Sequence, residues 1–335
     1  MDLKYLLKRG ALLAVANWPV VAIQFVAETT FQALLAVPIL GAAILVAVLL
    51  GGDLAELLQG SLRDMFTTIA STLLSEPVAL VAFGTALAIV VFGGSVLMFV
   101  VKGGIMDVLL AAETASGPIE REPITLESLK RASRFSLLRF TNGCSRLCRP
   151  YVALGATLMV VYGLSAGAYI AFVAYGYRFA AGGVFVIGWT FIAALAATAL
   201  IAWITIVNLL YLLTQIAIAV EGVPVVEGMA TVGRFVKAEF RTLTGVFLVV
   251  VAVVVAATFA SFLAWSGVGL IAFVPLVGLA VFPLQIAALL LRGLVFEYLG
   301  LAALGAYLTV YMRSASHRAT ALAPLRANSR APRTA

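Results

Sequence analysis

Long unbroken apolar runs alternate with short basic segments along this chain. ALAIVVFGGSVLMFVV, residues 86–101, contains no charged position. A membrane-spanning strand would alternate apolar and polar positions over about 10 residues. An unbroken run of about 20 reads as a transmembrane helix. The runs predict six spans, at about residues 18–50, 77–101, 150–176, 184–214, 243–265 and 286–312. The expected fold class is all-α, a polytopic transmembrane helical bundle. The first run is too long: at about 1.5 Å per residue it reaches about 50 Å, against a bilayer core of about 30 Å. Either Pro38 kinks it, or its first turns lie in the interface with Gln24, Glu28, Thr29, Thr30 and Gln32. Asn17-Trp18-Pro19 reads as its start: an N-cap, an interfacial aromatic and a first-turn proline. It reads as a retained span and not a cleaved signal, since polar residues interrupt it and no A-x-A site follows a short core. One further run, GVGLIAFVPLVGLAVFPL at 267–284, is almost long enough to cross. The preferred reading is a re-entrant or interfacial segment broken by Pro275 and Pro283, with a seventh crossing left open.

The polar segments carry a second pattern. LESLKRASRFSLLRF and VEGMATVGRFVKAEF share a spacing: Glu127, Arg134, Phe135 and Phe140 against Glu227, Arg234, Phe235 and Phe240. In the second copy Met229, Val232, Val236, Phe240 and Leu243 recur at helical steps, with Arg234, Lys237 and Arg241 on another stripe. That predicts an amphipathic helix. The first copy predicts a poorer one, with Leu126, Leu129, Leu137 and Phe140 apolar and Lys130, Arg131 and Arg134 basic. Each follows a proline and leads into a span. LKYLLKRGALLAVANWP at the N-terminus reads as a third, degenerate copy. The six basic residues of the first two copies are the candidate contacts to anionic headgroups.

Composition fixes the class and charge fixes the orientation. The chain is 63% hydrophobic and 11% charged, whereas a soluble domain keeps about 25% charged residues. Nineteen of the 22 Lys and Arg fall in the N-terminus, the segments 102–149 and 215–242, and the tail; the others are Arg63, Arg178 and Arg292. Cytoplasmic loops carry the basic excess, so both termini are expected in the cytoplasm. The expected organisation is one transmembrane domain, 1–313, and a disordered basic tail, 314–335. Topology already accounts for the net charge of +7, so no nucleic-acid partner is expected. The expected partners are membrane lipids; a homo-oligomer or an unidentified membrane partner stays open.

KGGIMDVLLAAETASG, LESLKRASRF and VEGVPVVEGMATVGRFVKAEFRTLTGVF together resemble a loose group of bacterial six-span inner-membrane proteins. The group includes the membrane domain found beside some glycerophosphodiester phosphodiesterases and several families of unknown function. The resemblance covers most of the chain through hydropathy and spacing. It implies a fold and an inner-membrane location and no activity, because the phosphodiesterase chemistry belongs to a separate barrel with acidic and His residues.

Little chemistry is available. The single His, His317, lies in the polar tail, which argues against haem ligation, zinc hydrolysis or Ser-His catalysis within the bundle. Cys144 and Cys148 lack further ligands nearby, and no phosphate-binding glycine motif is present. No catalytic residue, cofactor or metal is expected, and the chain reads as non-enzymatic. The leads are polar residues at membrane depth: Gln24, Glu28, Asn208, Gln215, Arg292 and Glu297. They predict a seam, with Arg292 and Glu28 as one example of pairing across spans, since ionisable groups there are costly and commonly paired or cavity-lining. Three function classes remain: a membrane-organising, lipid-interacting protein, a transporter component for a small solute or lipid, and an enzyme acting on a lipid, for which no catalytic set is evident.

Overall fold

A computed structural model describes residues 2–50, 71, 75, 77–180, 185–272 and 277–329. They form helices α1 Leu3–Ala16, α2 Trp18–Leu50, α3 Pro77–Ala115, α4 Leu126–Ala132, α5 Leu137–Ala180, α6 Phe185–Glu221, α7 Val225–Ala238, α8 Phe240–Ala272 and α9 Val277–Ser329. Among the described residues, six helical stretches are long and apolar enough to cross a membrane: Trp18–Gly41, Leu80–Ala115, Leu126–Ala180, Phe185–Glu221, Phe240–Ser266 and Pro283–Ser316. The chain is a multi-pass helical membrane protein.

The molecule has two storeys, a belt and a base. Large apolar side chains stand exposed over 26–48 of α2, 78–97 of α3, 160–179 of α5, 185–210 of α6, 248–265 of α8 and 284–295 of α9. Buried side chains occupy the other ends: 6–21, 99–112, 140–154, 211–219, 232–246 and 301–311. Contacts hold these changeovers level. Phe99 meets Gly155 and Tyr211, Phe25 meets Gly293, and Tyr298 shares a groove with Val250. Each helix therefore passes from an apolar belt into one packed base at about the same height.

Solvent physics accounts for the division. In lipid no hydrophobic force drives helices together, so belt helices can stay lightly packed; only 0 to 17% of each span's most apolar window is buried. The base instead buries its apolar faces against itself, the packing that water-facing protein requires. The main pairings are α3 with α5 and α1 with α9. Glycines permit both. A Cβ at Gly104 or Gly143 would strike the facing helix, and one at Gly10 would strike the Ala302 and Ala306 backbone.

Several expectations change. The first repeat is not one helix. A capping box between Thr125 and Ser128 starts α4, which ends at Ala132, before α5 begins at Leu137. The buried Asn17 amide stabilises this break, donating to the Ala132 carbonyl (3.0 Å) and accepting from the Arg134 N–H (2.8 Å). Asn17 thus caps a neighbour's broken backbone, not α2. The second repeat is helical as α7 only to Ala238; the chain bends at Glu239, so Phe240, Arg241 and Leu243 lie on α8, and the buried face of α7 is Gly228, Thr231, Val232 and Phe235. That face lies on protein: Phe235 stacks edge-on against Tyr311 at 4.9 Å. Met229 and Phe240, expected on the apolar stripe, are exposed. The N-terminal third copy, α1, buries Arg9 and so does not present it to headgroups. Neither Pro38 nor Pro283 ends a helix, and α9 runs from Val277 to Ser329. Ala319, Ala321, Leu322 and Ala323 favour helix there. The run at 267–284 divides between the end of α8 and the start of α9. Pro275, Arg63, Arg330 and Arg333 lie outside the described residues, as does the side chain of His317.

Candidate functional site

A polar cluster sits where belt meets base. Gln24 and Glu28 lie one turn apart on α2 and share a face. Glu297 of α9 reaches both with hydrogen bonds. Lys102 of α3 lies near enough for the charges of Glu28 and Glu297 to act on it. Its Nζ also stands 5.5 Å from the Tyr211 ring centroid on α6, a cation–π distance. Four helices converge, with two carboxyls, one ammonium, one amide and one aromatic face. Gln24, Glu28, Lys102 and Glu297 are half-buried, and Tyr211 is buried. The Tyr211 hydroxyl and the Gln215 side-chain nitrogen, one turn further into the base, have no hydrogen-bond partner among the described residues.

The expected seam is thus present in part. Gln24, Glu28 and Glu297 come together. Asn208 stands apart on α6 and accepts from the Tyr162 hydroxyl. Gln215 is buried, and its backbone carbonyl accepts from Tyr151 at 2.8 Å. No ion pair between Arg292 and Glu28 is present among the described residues; the cation whose charge acts on Glu28 and Glu297 is Lys102. Arg292 lies on the belt surface over the Phe296 ring, 5.7 Å from its centroid. Lys102 is the member that sequence reasoning misses, because the apolar run of 77–101 ends at it and it reads as a loop residue. A signal exists in principle, since GGIMDVLLAA continues the same helix without a breaker other than glycine. Cys144 and Cys148 are both free and half-buried on α5.

A second polar group ties the base together. All five donors of the Arg9 guanidinium are used. Nε meets the Glu113 carboxylate at 2.7 and 2.9 Å. Nη1 reaches Glu120 at 2.6 Å and the Gly117 carbonyl. Nη2 reaches the Glu113 carbonyl at 3.1 Å and Ser116 Oγ at 2.9 Å. Gly117 has φ +60°, a conformation cheap only for glycine, and this turn swings Glu120 back onto Arg9. Arg313 of α9 adds a contact to Glu120 at 3.5 Å. Burial works to lower the Arg9 pKa, but the hydrogen bonds and charges of Glu113 and Glu120 outweigh it and hold it above the ordinary value. For Glu120 burial pushes up, while its own backbone hydrogen bond, the bond and charge of Arg9 and the charge of Arg313 hold its carboxyl below the usual range. This arrangement joins α1 to the end of α3 and to α9, and has no open position for a ligand.

The six candidate lipid contacts, Lys130, Arg131, Arg134, Arg234, Lys237 and Arg241, are all exposed. Arg131 pairs with Glu122 at 2.6 Å, and Arg234 bonds back to Thr231. Arg241 precedes Leu248, where the exposed apolar surface of α8 begins, by about 10 Å along the helix. No family model, no curated protein and no solved structure matches this chain.

Proposed function

We propose that this protein is a non-enzymatic, multi-pass component of a bacterial cytoplasmic membrane that gathers anionic lipid around its base, with base and both termini in the cytoplasm. The observation that carries this reading is the exposed Arg234, Lys237 and Arg241 set beside the belt's edge. Each Lys or Arg near an anionic surface is worth about 1 kcal/mol. Phe240 stands exposed among them and offers an apolar contact at the interface. The test is local lipid composition. Polymer-bounded native nanodiscs, cut from bilayers of phosphatidylglycerol and phosphatidylcholine in equal parts, should carry phosphatidylglycerol in excess around the wild type. Replacing all three residues with Gln should remove most of that excess, as should raised salt. Nanodiscs with the bulk composition around the wild type would reject the reading.

A transporter component is the second reading, favoured by one observation. Lys102, Glu28 and Glu297 face one another between helices, beside the unpartnered Tyr211 hydroxyl. A charge-lined meeting of helices at the edge of the bilayer suits a substrate or ion path. Solute flux in proteoliposomes that vanishes in Glu297→Gln would favour it.

A further inference from the structure

We propose that the groove between α8 and α9 holds one acyl chain of an anionic glycerophospholipid, with the lipid phosphate bound by Arg292. This deepens the lipid-gathering reading and rests on it.

The groove has a volume of about 310 Å³ and opens sideways on the belt. Ala257, Ala260 and Ala264 recur at three- and four-residue steps and line one wall; Ala288 and Val295 line the other. Small side chains on the first wall leave the depth unfilled. Both walls run with the helices, as a lipid chain does. A dry gap forfeits its dispersion contacts, so within a bilayer this groove takes methylene groups. Its apolar lining selects nothing by itself. Selectivity must come from the one cation on the rim.

Arg292 is that cation. It is exposed on the belt and has no carboxylate partner among the described residues. Helical side chains tilt toward the helix N-terminus. The Phe296 ring leans back the same way and meets the Arg292 guanidinium, 5.7 Å from its centroid. A long Arg side chain this close to the belt's edge can carry its charged head to the polar edge of its leaflet. Glu297, level with the edge of the belt, is five residues or about 7.5 Å beyond it. The geometry fits a lipid of the base-side leaflet. Its phosphate accepts from the guanidinium, and one chain runs from Arg292 toward Trp265 and Ala288. An unpaired cation prefers a lipid with net negative charge over a zwitterion, whose own ammonium competes for the phosphate. Glu297, further along the same helix, is hydrogen-bonded with Glu28 and Gln24.

The test is native mass spectrometry of the full chain, purified in mild detergent with phosphatidylglycerol and phosphatidylcholine of matched chains in equal amounts. The wild type should retain one phosphatidylglycerol, favoured by about tenfold. Arg292→Gln should bring the two lipids to near parity. Ala260→Phe, which fills the groove without touching the cation, should lower retention of both. The Gln triple at Arg234, Lys237 and Arg241 should keep the bound lipid. Melting curves identify any variant that fails to fold, and either of the two groove variants is enough to decide the question. Unchanged retention in a folded Arg292→Gln or Ala260→Phe protein, with wild-type preference intact, overturns the groove site and leaves the wider lipid reading standing. A wild type without anionic preference, both here and in the nanodiscs, overturns both.

Discussion

Single side chains decide how this molecule tolerates charge at the edge of the membrane. Lys102 is shared by Glu28 and Glu297, so its removal leaves two carboxyls facing each other. The cluster is half-buried, which screens its charges, and groups in one network couple by about 0.5–3 kcal/mol. Lys102→Met should therefore lower stability. Lys102→Met combined with Glu297→Gln should lose less than the two single losses added together. Arg292→Leu combined with Glu297→Gln should be additive, since Arg292 faces the belt surface. Unfolding in mixed detergent micelles measures all five variants, and additive losses for the Lys102 pair would remove it from the cluster. Arg9 and Glu120 act deeper in the base and give a pH dependence. The Glu120 carboxyl is held below its ordinary value when folded, which for a free Glu is about 4.3. Its contribution is fully present above that value and is lost as pH falls through it toward the lower folded value. Acid-induced loss of melting temperature should thus begin near pH ~4.3, and Glu120→Gln should show a lower melting temperature at neutral pH with a weaker acid dependence. An unaltered acid profile in Glu120→Gln would contradict this.

At the scale of helices, the same spacing of Glu, Arg and Phe produced two different elements. α7 folds as one helix because Phe235 and Val232 find a protein surface, on Tyr311 and the end of α6. Its twin breaks after Ala132 because Asn17 supplies the hydrogen bonds that a continuing helix would have made. Nothing in LESLKRASRFSLLRF announces that partner, which lies more than a hundred residues away. Helix existence was legible throughout, since apolar runs of this length leave few alternatives. Helix ends were not. Ala115 and Glu221 lie well beyond the apolar runs of α3 and α6, because these helices continue through the packed base. Glu28 and Glu297 could be recognised as unusual from their apolar neighbours. Lys102 could not be separated from ordinary flanking charge, and Arg9 read as a topology signal. Phe235→Ala tests the protein-facing role of α7: deleting a buried aromatic costs about 3–5 kcal/mol. A loss that size is expected in melting of the base, whereas a lipid-facing Phe235 would leave stability nearly unchanged.

For the molecule as a whole, the division into belt and base accounts for the exposed apolar surface, the placement of charge and the location of both polar groups. Arg9 near the N-terminus and Arg313 toward the other end meet at Glu120, so both regions lie on one side of the belt. That agrees with the basic excess of the same segments. The belt also leaves room laterally, for lipid in the α8–α9 groove or for a second copy elsewhere. The most direct test of this architecture is the depth of spin labels in the reconstituted full chain. Labels would replace Ile44, Phe92, Leu164, Ile206, Phe259 and Leu290 in the belt, and Lys130, Ser145 and Arg234 in the base. Each would be read by collision with oxygen, which enters lipid, and with a nickel chelate, which stays in water. The two-storey account predicts oxygen-dominated relaxation at all six belt sites and nickel-dominated relaxation at all three base sites. A belt site relaxed mainly by nickel, or a base site relaxed mainly by oxygen, would contradict it.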